Sequence, residues 1–326
     1  MRLASLCHMP SLPELPAIRE AQQMLAKYFP PTPLVPALSL GSAGAQAYLK
    51  IETGLPTGSF KPRGAMYALA TNLQRRPIRE VTASSTGNHG AATAFAARTL
   101  RVPATIFLPE GANPVKRKKI EALGARIVCH GSIDLAGAFQ EASEYSRKPG
   151  VYFLNDATDS DLPAGPATIG FEIVEQLRDV SAVFVPMGDT ALIRGVGAAI
   201  KALSPQTKVI GVQAEQAPSY VLSWRAGKPV PTKTCNTCAD GLATRTPEAE
   251  NVAAIGKVVD EVVLVSERQM IDAIRYLYTG ENVTAEPSGA ATTAAYLRSE
   301  IPGRVVLLVT GANISDEVRQ RAGIPL

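Results

Sequence analysis

One lysine in this sequence stands in surroundings unlike those of an ordinary surface lysine. Lys61 lies between Phe60 and Pro62, with Gly58 and Gly64 close on either side. Pro62 fixes its own φ and disfavours the α region for the residue before it, which places Lys61 at the junction of a loop and a helix. An amine there can attack a carbonyl carbon or carry a proton. The simpler alternative is a lysine that extends along the start of a helix.

A second polar segment, residues 84–90 (Ser-Ser-Thr-Gly-Asn-His-Gly), separates an apolar run from an alanine-rich stretch. Backbone N–H groups and hydroxyls at a helix N-terminus bind carboxylates and phosphates. Ser, Thr and Asn are also preferred helix caps, so a well-capped turn is the simpler alternative. The segment therefore predicts an anion site only together with others.

Two further strand ends carry glycine and polar residues. Residues 188–192 (Gly-Asp-Thr-Ala-Leu) follow an apolar run, and their backbone N–H groups could hold a phosphate. The spacing from Gly188 to Gly197 does not give the dinucleotide fingerprint, and no P-loop lysine follows. Asp189 would repel a phosphate, so we expect its side chain to turn away and cap the next helix. The fourth segment, Thr310–Asn313, is a strand end with a hydroxyl and a glycine.

The elements that must position these segments alternate between apolar β-rich runs and helix-like stretches, which indicates a mainly parallel α/β fold. The predicted strands are Ala47–Glu52, Glu80–Ser85, Ala104–Pro109, Ala125–Cys129, Tyr152–Asn155, Ala182–Met187, Lys208–Glu215, Val262–Val265 and Arg304–Thr310. The predicted helices are Leu15–Tyr28, Arg63–Leu73, His89–Thr99, Pro114–Leu123, Ile169–Leu177, Ala191–Leu203, Glu267–Gly280 and Ser288–Ser299. The grouping favours two sheets, and ligands bind outside the carboxyl ends of such strands.

The order of these motifs resembles that of the fold-type II pyridoxal-phosphate (PLP) enzymes. It includes Gly-Ser-Phe-Lys-Pro-Arg-Gly-Ala around Lys61, Ser-Thr-Gly-Asn-His, the loop at Gly188, residues 239–242 (Ala-Asp-Gly-Leu) and residues 286–289 (Glu-Pro-Ser-Gly). Within these enzymes the chain is similar to the serine/threonine dehydratase branch, over residues 30 to 315. The resemblance implies two open, mainly parallel twisted sheets with flanking helices and PLP in the cleft between two lobes. It implies a smaller domain of about residues 50–150 and a larger PLP-binding domain of residues 1–49 and 151–326.

The resemblance also implies roles for individual residues. Lys61 would hold PLP covalently and later move the Cα proton, and Thr86 stands where related racemases carry a second base. The other implied cofactor contacts are Phe60, Asn88, the backbone of Gly188, Asp189, Thr190, Ala191 and Leu192, and Thr310 at the pyridine nitrogen. The implied contacts of the substrate carboxylate are Ser85, Thr86, Asn88 and His89.

The expected reaction follows from the hydroxyl at Thr310. A neutral hydroxyl cannot hold the pyridine nitrogen protonated as an aspartate would, so the ring is a weaker electron sink. Loss of a β-substituent as the Cα proton leaves suits such a ring. We therefore expect an ammonia-lyase that converts a 3-hydroxy amino acid, such as threonine, serine, 3-hydroxyaspartate or phenylserine, to a 2-oxo acid and ammonia. Three alternatives stay open: a threonine synthase-like enzyme, a cysteine synthase-like enzyme and an amino-acid racemase.

Composition and charge fit a small-molecule enzyme. The net charge is +4, and the densest basic run, Lys116–Lys119, is predicted to be a solvated helix face rather than a nucleic-acid site. No apolar stretch is long enough for a membrane span, and the first ten residues lack a signal-peptide pattern. We expect a cytoplasmic protein, a homodimer, with an amino acid as its partner.

No metal site is expected. Cys235 and Cys238 have a zinc-like spacing, but no second pair or nearby histidine completes a site, so we interpret them as two thiols in a loop. The cation site of racemase-like relatives would begin at Glu215, and six residues on, where an aspartate is expected, stands Val221.

Overall fold

The computed structural model describes residues 12–41, 44–85, 87–110, 114–129 and 135–325. The strands are β1 Leu34–Pro36, β2 Ala45–Ile51, β3 Glu80–Ser84, β4 Ala104–Leu108, β5 Arg126–Cys129, β6 Val151–Phe153, β7 Val180–Pro186, β8 Lys208–Ala214, β9 Glu261–Val265 and β10 Gly303–Val309. The helices are α1 Leu15–Leu25, α2 Lys61–Arg75, α3 Asn88–Leu100, α4 Pro114–Ala122, α5 Leu135–Tyr145, α6 Ala164–Gln176, α7 Ala191–Leu203, α8 Ser219–Ala226, α9 Ala249–Val258, α10 Glu267–Glu281, α11 Pro287–Tyr296 and α12 Asp316–Ala322.

The strands form two sheets, which confirms the predicted fold class. One sheet has six strands in the order β1-β2-β10-β7-β8-β9, and the other has four in the order β5-β4-β3-β6. All neighbouring strands run parallel except β1, which pairs antiparallel with β2. Strands β7, β8 and β10 are almost entirely buried, as expected of parallel strands covered by helices on both faces. The domain limits at residues 50 and 150 stay a prediction.

Helix α8 lies where the sequence suggested a loop, at residues 218–224. The helix starts directly after Pro218 and ends at Gly227, which is left-handed with φ 65°. Proline before a helix and glycine after it are terminal signals, so the residues that suggested a loop instead mark the two ends of a short helix. Strand β1 and helices α5, α9 and α12 were also not predicted. In the part of the chain that the structure describes, no helix is long and apolar enough to cross a membrane.

Four buried charges connect β2, α2 and α6. Arg63 of α2 donates from Nε to Glu52 at 2.8 Å and from Nη1 to Glu172 of α6 at 2.6 Å. Lys50 of β2 donates to the other oxygen of Glu172 at 2.5 Å. Two cations and two carboxylates balance, and each carboxylate is hydrogen-bonded as a buried charge requires. Since Arg63 stands two residues after Lys61, the network also fixes the first turn of α2.

Candidate active site

The predicted site residues meet at one cavity of about 310 Å³, a size suited to a small-molecule ligand. It is lined by residues from the carboxyl ends of strands in both sheets. The sequence-predicted residues among them are Phe60, Lys61, Ser85, Asn88, His89, Gly188, Asp189, Thr190, Ala191, Leu192 and Thr310. Thr86 lies outside the described residues. The convergence is a structural finding, whereas the roles of these residues are predictions from the resemblance.

Lys61 is the first residue of α2, and Pro62 is the second. The expectation that Pro62 keeps Lys61 out of the helix was therefore wrong. A proline in the first turn lacks only an N–H that has no intrahelical acceptor, so the helix can begin one residue before it. The preceding Phe60 N–H donates to the Thr310 carbonyl oxygen at 2.9 Å. The end of β10 thereby fixes the position from which the lysine side chain extends.

The Lys61 ammonium forms an ion pair with Asp156, a residue that the sequence analysis missed. Burial alone would raise the pKa of Asp156, but the Lys61 charge outweighs it and holds that pKa well below its usual range. His89 Nδ1 lies 3.8 Å from the same carboxylate, and its Nε2 is 2.8 Å from the Leu154 carbonyl oxygen. Burial lowers the pKa of His89, so the ring is neutral. Asp156 follows strand β6, so the strand-end rule used for the other segments could have identified it.

Asn88 is held by side chains from the other end of the chain. Its Nδ2 donates to Glu286 at 2.6 Å, and its Oδ1 accepts from Asn313 at 2.6 Å. Lys119 in turn donates to Asn313 at 2.7 Å and to the Thr57 carbonyl oxygen at 2.6 Å. The prediction of a wholly solvated basic run was therefore wrong for Lys119, which is partly buried and lies beside the site.

The loop before α7 fits the phosphate of PLP. Helix α7 begins at Ala191 with no acidic residue in its first turn, and its first N–H groups have no intrahelical acceptors. Thr190 adopts a left-handed conformation (φ 70°), and its buried hydroxyl has no partner among the described residues. Asp189 accepts a hydrogen bond from Thr244 at 2.9 Å and does not cap α7, so the capping expectation was wrong.

The hydroxyl-bearing residue at the end of β10 fits the pyridine side of the same group. Thr310 is 3% exposed and lines the cavity. Its side chain carries no charge, and its carbonyl oxygen already accepts from the Phe60 N–H. The residues present therefore match a PLP group: an amine, a loop of N–H donors at a helix start, and a neutral partner for the ring nitrogen.

Gly188→Ala should weaken PLP binding at least tenfold, because a Cβ at this position would overlap the Gly241 carbonyl oxygen. The loop would have to shift away from the first turn of α7. Gly256→Ala is the matched control, since a Cβ there meets no atom within 4 Å and the residue lies inside helix α9. The control should keep its cofactor affinity and gain about 0.5–1 kcal/mol of stability. Titration of the cofactor-free proteins with PLP checks both, and equal affinities would contradict this interpretation of the loop.

Asp189→Asn should raise the stability of the cofactor-free protein at pH 7.5. Burial, and secondarily the charge of Asp156, raise the pKa of Asp189 to about 6 from 3.8. A raised folded-state pKa means that the ionised group destabilises the fold above pH 6, and that this penalty is absent below about pH 4. We expect a gain of about 1–3 kcal/mol at pH 7.5 that vanishes near pH 4, measured by urea unfolding at both pH values. A gain independent of pH would contradict the assignment to this titration.

The cysteine pair and the proposed cation position show no metal chemistry. Cys235 and Cys238 lie in a segment without helix or strand, and neither forms a disulfide. Burial raises the pKa of Cys238 to about 12, which leaves little reactive thiolate. Val221 is fully buried in the apolar core and offers no ligand beside Glu215. Within the described ranges, no cluster of three or more metal-ligating side chains is found.

Comparison with known proteins gives consistent matches over most of the chain. Residues 25–311 match the family described as pyridoxal-phosphate dependent enzyme. The L-threonine ammonia-lyase of Thermotoga maritima is 39% identical over 300 residues, which cover 91% of this chain and 75% of that protein. A solved threonine deaminase, its source abbreviated T.th., is 32% identical with a TM-score of 0.86, covering 93% of this chain and 99% of that one. Maize serine racemase is 26% identical with a TM-score of 0.89, covering 96% and 97%.

Proposed function

Because this chain belongs to the family of pyridoxal-phosphate-dependent enzymes, we propose that it is an ammonia-lyase that removes the β-substituent of a small amino acid. Threonine and serine are the first substrates to test, since the threonine ammonia-lyase and threonine deaminase described above are similar over more than nine-tenths of this chain. The products are a 2-oxo acid and ammonia. The observation that carries this proposal is the meeting of Lys61, the loop at Gly188 and the neutral Thr310 in one cavity.

The cofactor contacts that we propose follow from the cavity. PLP, when bound, draws electrons from the Cα of an attached amino acid and so makes the Cα proton acidic. Lys61, Phe60 and Asn88 would surround its ring, and the backbone of residues 188–192 would hold its phosphate. Thr310 would contact the ring nitrogen without protonating it. This neutral contact favours elimination over reactions that need a long-lived carbanion.

The substrate side of the proposal rests on the start of α3. Helix α3 begins at Asn88, so the N–H groups of its first turn can bind the substrate carboxylate. Ser85 Oγ accepts from the Gly87 N–H at 3.2 Å and folds the segment towards the cavity. His89 is neutral and buried, so it orients the segment without adding charge. We place Thr86 at the same carboxylate, and Lys61 as the group that takes the Cα proton.

A panel of amino acids tests the proposed reaction. The purified holoenzyme should release a 2-oxo acid and ammonia in equal amounts from L-threonine or L-serine, with weaker or no release from 3-hydroxyaspartate and phenylserine. Chiral analysis of the remaining substrate separates elimination from racemisation. Formation of the D-enantiomer without oxo acid would replace the proposal by a racemase, and turnover only with an added nucleophile or a phosphorylated substrate would replace it by a synthase.

We also propose that the enzyme is a cytoplasmic homodimer, with residues 50–150 as its smaller domain. Apolar side chains on its surface support self-association. Leu38 is 88% exposed and Val35, in the edge strand β1, is 36% exposed. Light scattering on the purified protein should give twice the chain mass, and a monomer at micromolar concentration would contradict the dimer.

A further inference from the structure

The cavity that binds the substrate is acidic. Among the described side chains that line it, the carboxylates include Asp156 and Asp189, whereas Lys61 is the one with a permanent positive charge. His89, which also lines the cavity, is neutral. A bound PLP would add the negative charge of its phosphate. An anionic substrate side chain would therefore be repelled, and a cationic one attracted.

Asp156 in particular is built to receive a cation. Its carboxylate is 19% exposed, and its ion-pair partner is Lys61. When the Lys61 nitrogen is bonded to the cofactor or carries out proton transfer, it no longer offers a full ammonium group to this carboxylate. A largely buried carboxylate without a cation is costly, and the cost is removed if the substrate brings one.

The segment around Asp156 is held rigidly, so its carboxylate cannot simply turn to water. The Ala157 N–H donates to the Asn155 side chain at 3.0 Å. The Ala157 carbonyl oxygen accepts from Arg194 Nη2 at 3.1 Å and from Asn251 Nδ2 at 3.0 Å. Arg194 is 1% exposed and contacts the backbone of the segment rather than the Asp156 carboxylate. The positive charge behind the segment thus fixes it without pairing with Asp156.

We propose that Asp156 is a specificity-determining residue that binds an ammonium group on the substrate side chain, so that the enzyme accepts 2,3-diamino acids and prefers them to hydroxy amino acids of the same size. This inference rests on the proposed elimination reaction and specifies its substrate class. The Cα–H bond breaks with its proton passing to Lys61, its electron pair forms the Cα=Cβ bond, and the Cβ–N bond breaks with its pair leaving on ammonia. Hydrolysis of the resulting enamine with one water gives the 2-oxo acid and a second ammonia.

Serine and 2,3-diaminopropionate provide a matched pair of substrates. They differ only in a β-hydroxyl against a β-ammonium group, and both yield pyruvate. With the holoenzyme, kcat/KM for 2,3-diaminopropionate should exceed that for serine at least tenfold. Asp156→Asn should lower this ratio about thirtyfold or more, chiefly through KM for the diamino acid, as expected for loss of one buried charge pair. Asp156→Glu should keep a ratio above one, and the surface variant Asp272→Asn should match the parent enzyme.

The outcomes separate this inference from the reaction itself. Pyruvate from serine at a rate equal to or above that from 2,3-diaminopropionate would overturn the specificity while leaving the lyase intact. An unchanged ratio in Asp156→Asn would assign the preference to another residue and overturn the role of Asp156. No 2-oxo acid from any amino acid would instead refute the proposed function. If Asp156→Asn does not fold, the ratio in the parent enzyme and in Asp156→Glu still decides.

Discussion

Lys61→Ala should lower the rate of oxo-acid formation by about 10⁴-fold or more and abolish the visible absorbance of the lysine-bound cofactor. The substitution removes both the covalent attachment and the proton acceptor, and no other described cation lines the cavity to replace it. Absorbance spectra of the purified protein and a coupled assay of 2-oxo acid release measure the two losses separately.

Lys118→Ala is the control for that experiment. Lys118 is exposed on α4, so its removal should leave both the spectrum and the rate unchanged. A Lys61→Ala protein that keeps the absorbance and the activity of the parent would refute the assignment of Lys61 and, with it, the proposed reaction.

Arg63→Ala should reduce the free energy of unfolding by about 3–5 kcal/mol. The change leaves Glu52 and Glu172 as buried carboxylates that have lost their main cation. Urea unfolding at pH 7.5 measures the effect, and the variant should also bind PLP less tightly because the first turn of α2 loses its anchor. A loss below about 1 kcal/mol would mean that the network relaxes without the cost expected of unpaired buried charges.

The same helix provides the control for Arg63. Arg75 forms a 2.8 Å ion pair with Asp161, but its side chain is 60% exposed, so Arg75→Ala should cost less than about 1 kcal/mol. The network also predicts a pH dependence. Burial tends to raise the pKa of Glu172, but Arg63 outweighs it and the folded-state pKa is lowered. Its contribution to stability is therefore present at neutral pH and is lost as the pH falls below the usual range of a glutamate.

Much of the site could be predicted because its residues follow strands. Lys61, Asn88, Gly188 and Thr310 stand at fixed points in short motifs, and the parallel arrangement brings such points to one cleft. The same reasoning was not applied to Asp156, which follows the three-residue strand β6. That strand was expected to run through Asn155, and its shorter length leaves the next residues free to face the cavity.

Other features could not be predicted because they depend on contacts between distant segments. Lys119 lies in a run of four basic residues, and only the folded chain shows that its side chain reaches Asn313, almost two hundred residues away. Likewise, the pairing of Arg63 with Glu172 is invisible in the local sequence, where Arg63 belongs to the cofactor motif. Asp189 has a partner, Thr244, that lies in a segment without regular structure next to a short 3₁₀ turn.

The place of β10 in its sheet has a consequence for how the protein is made. This strand lies between β2 and β7, although about 250 residues separate it from β2 along the chain. During synthesis, β2 and β7 therefore wait with unpaired edges until residues 303–309 leave the ribosome, and these exposed edges can pair wrongly. Thr310, which holds Phe60 next to Lys61, arrives at the same moment. A nascent chain that lacks β10 thus has no assembled cofactor site, and loading with PLP is a late event in the maturation of this enzyme.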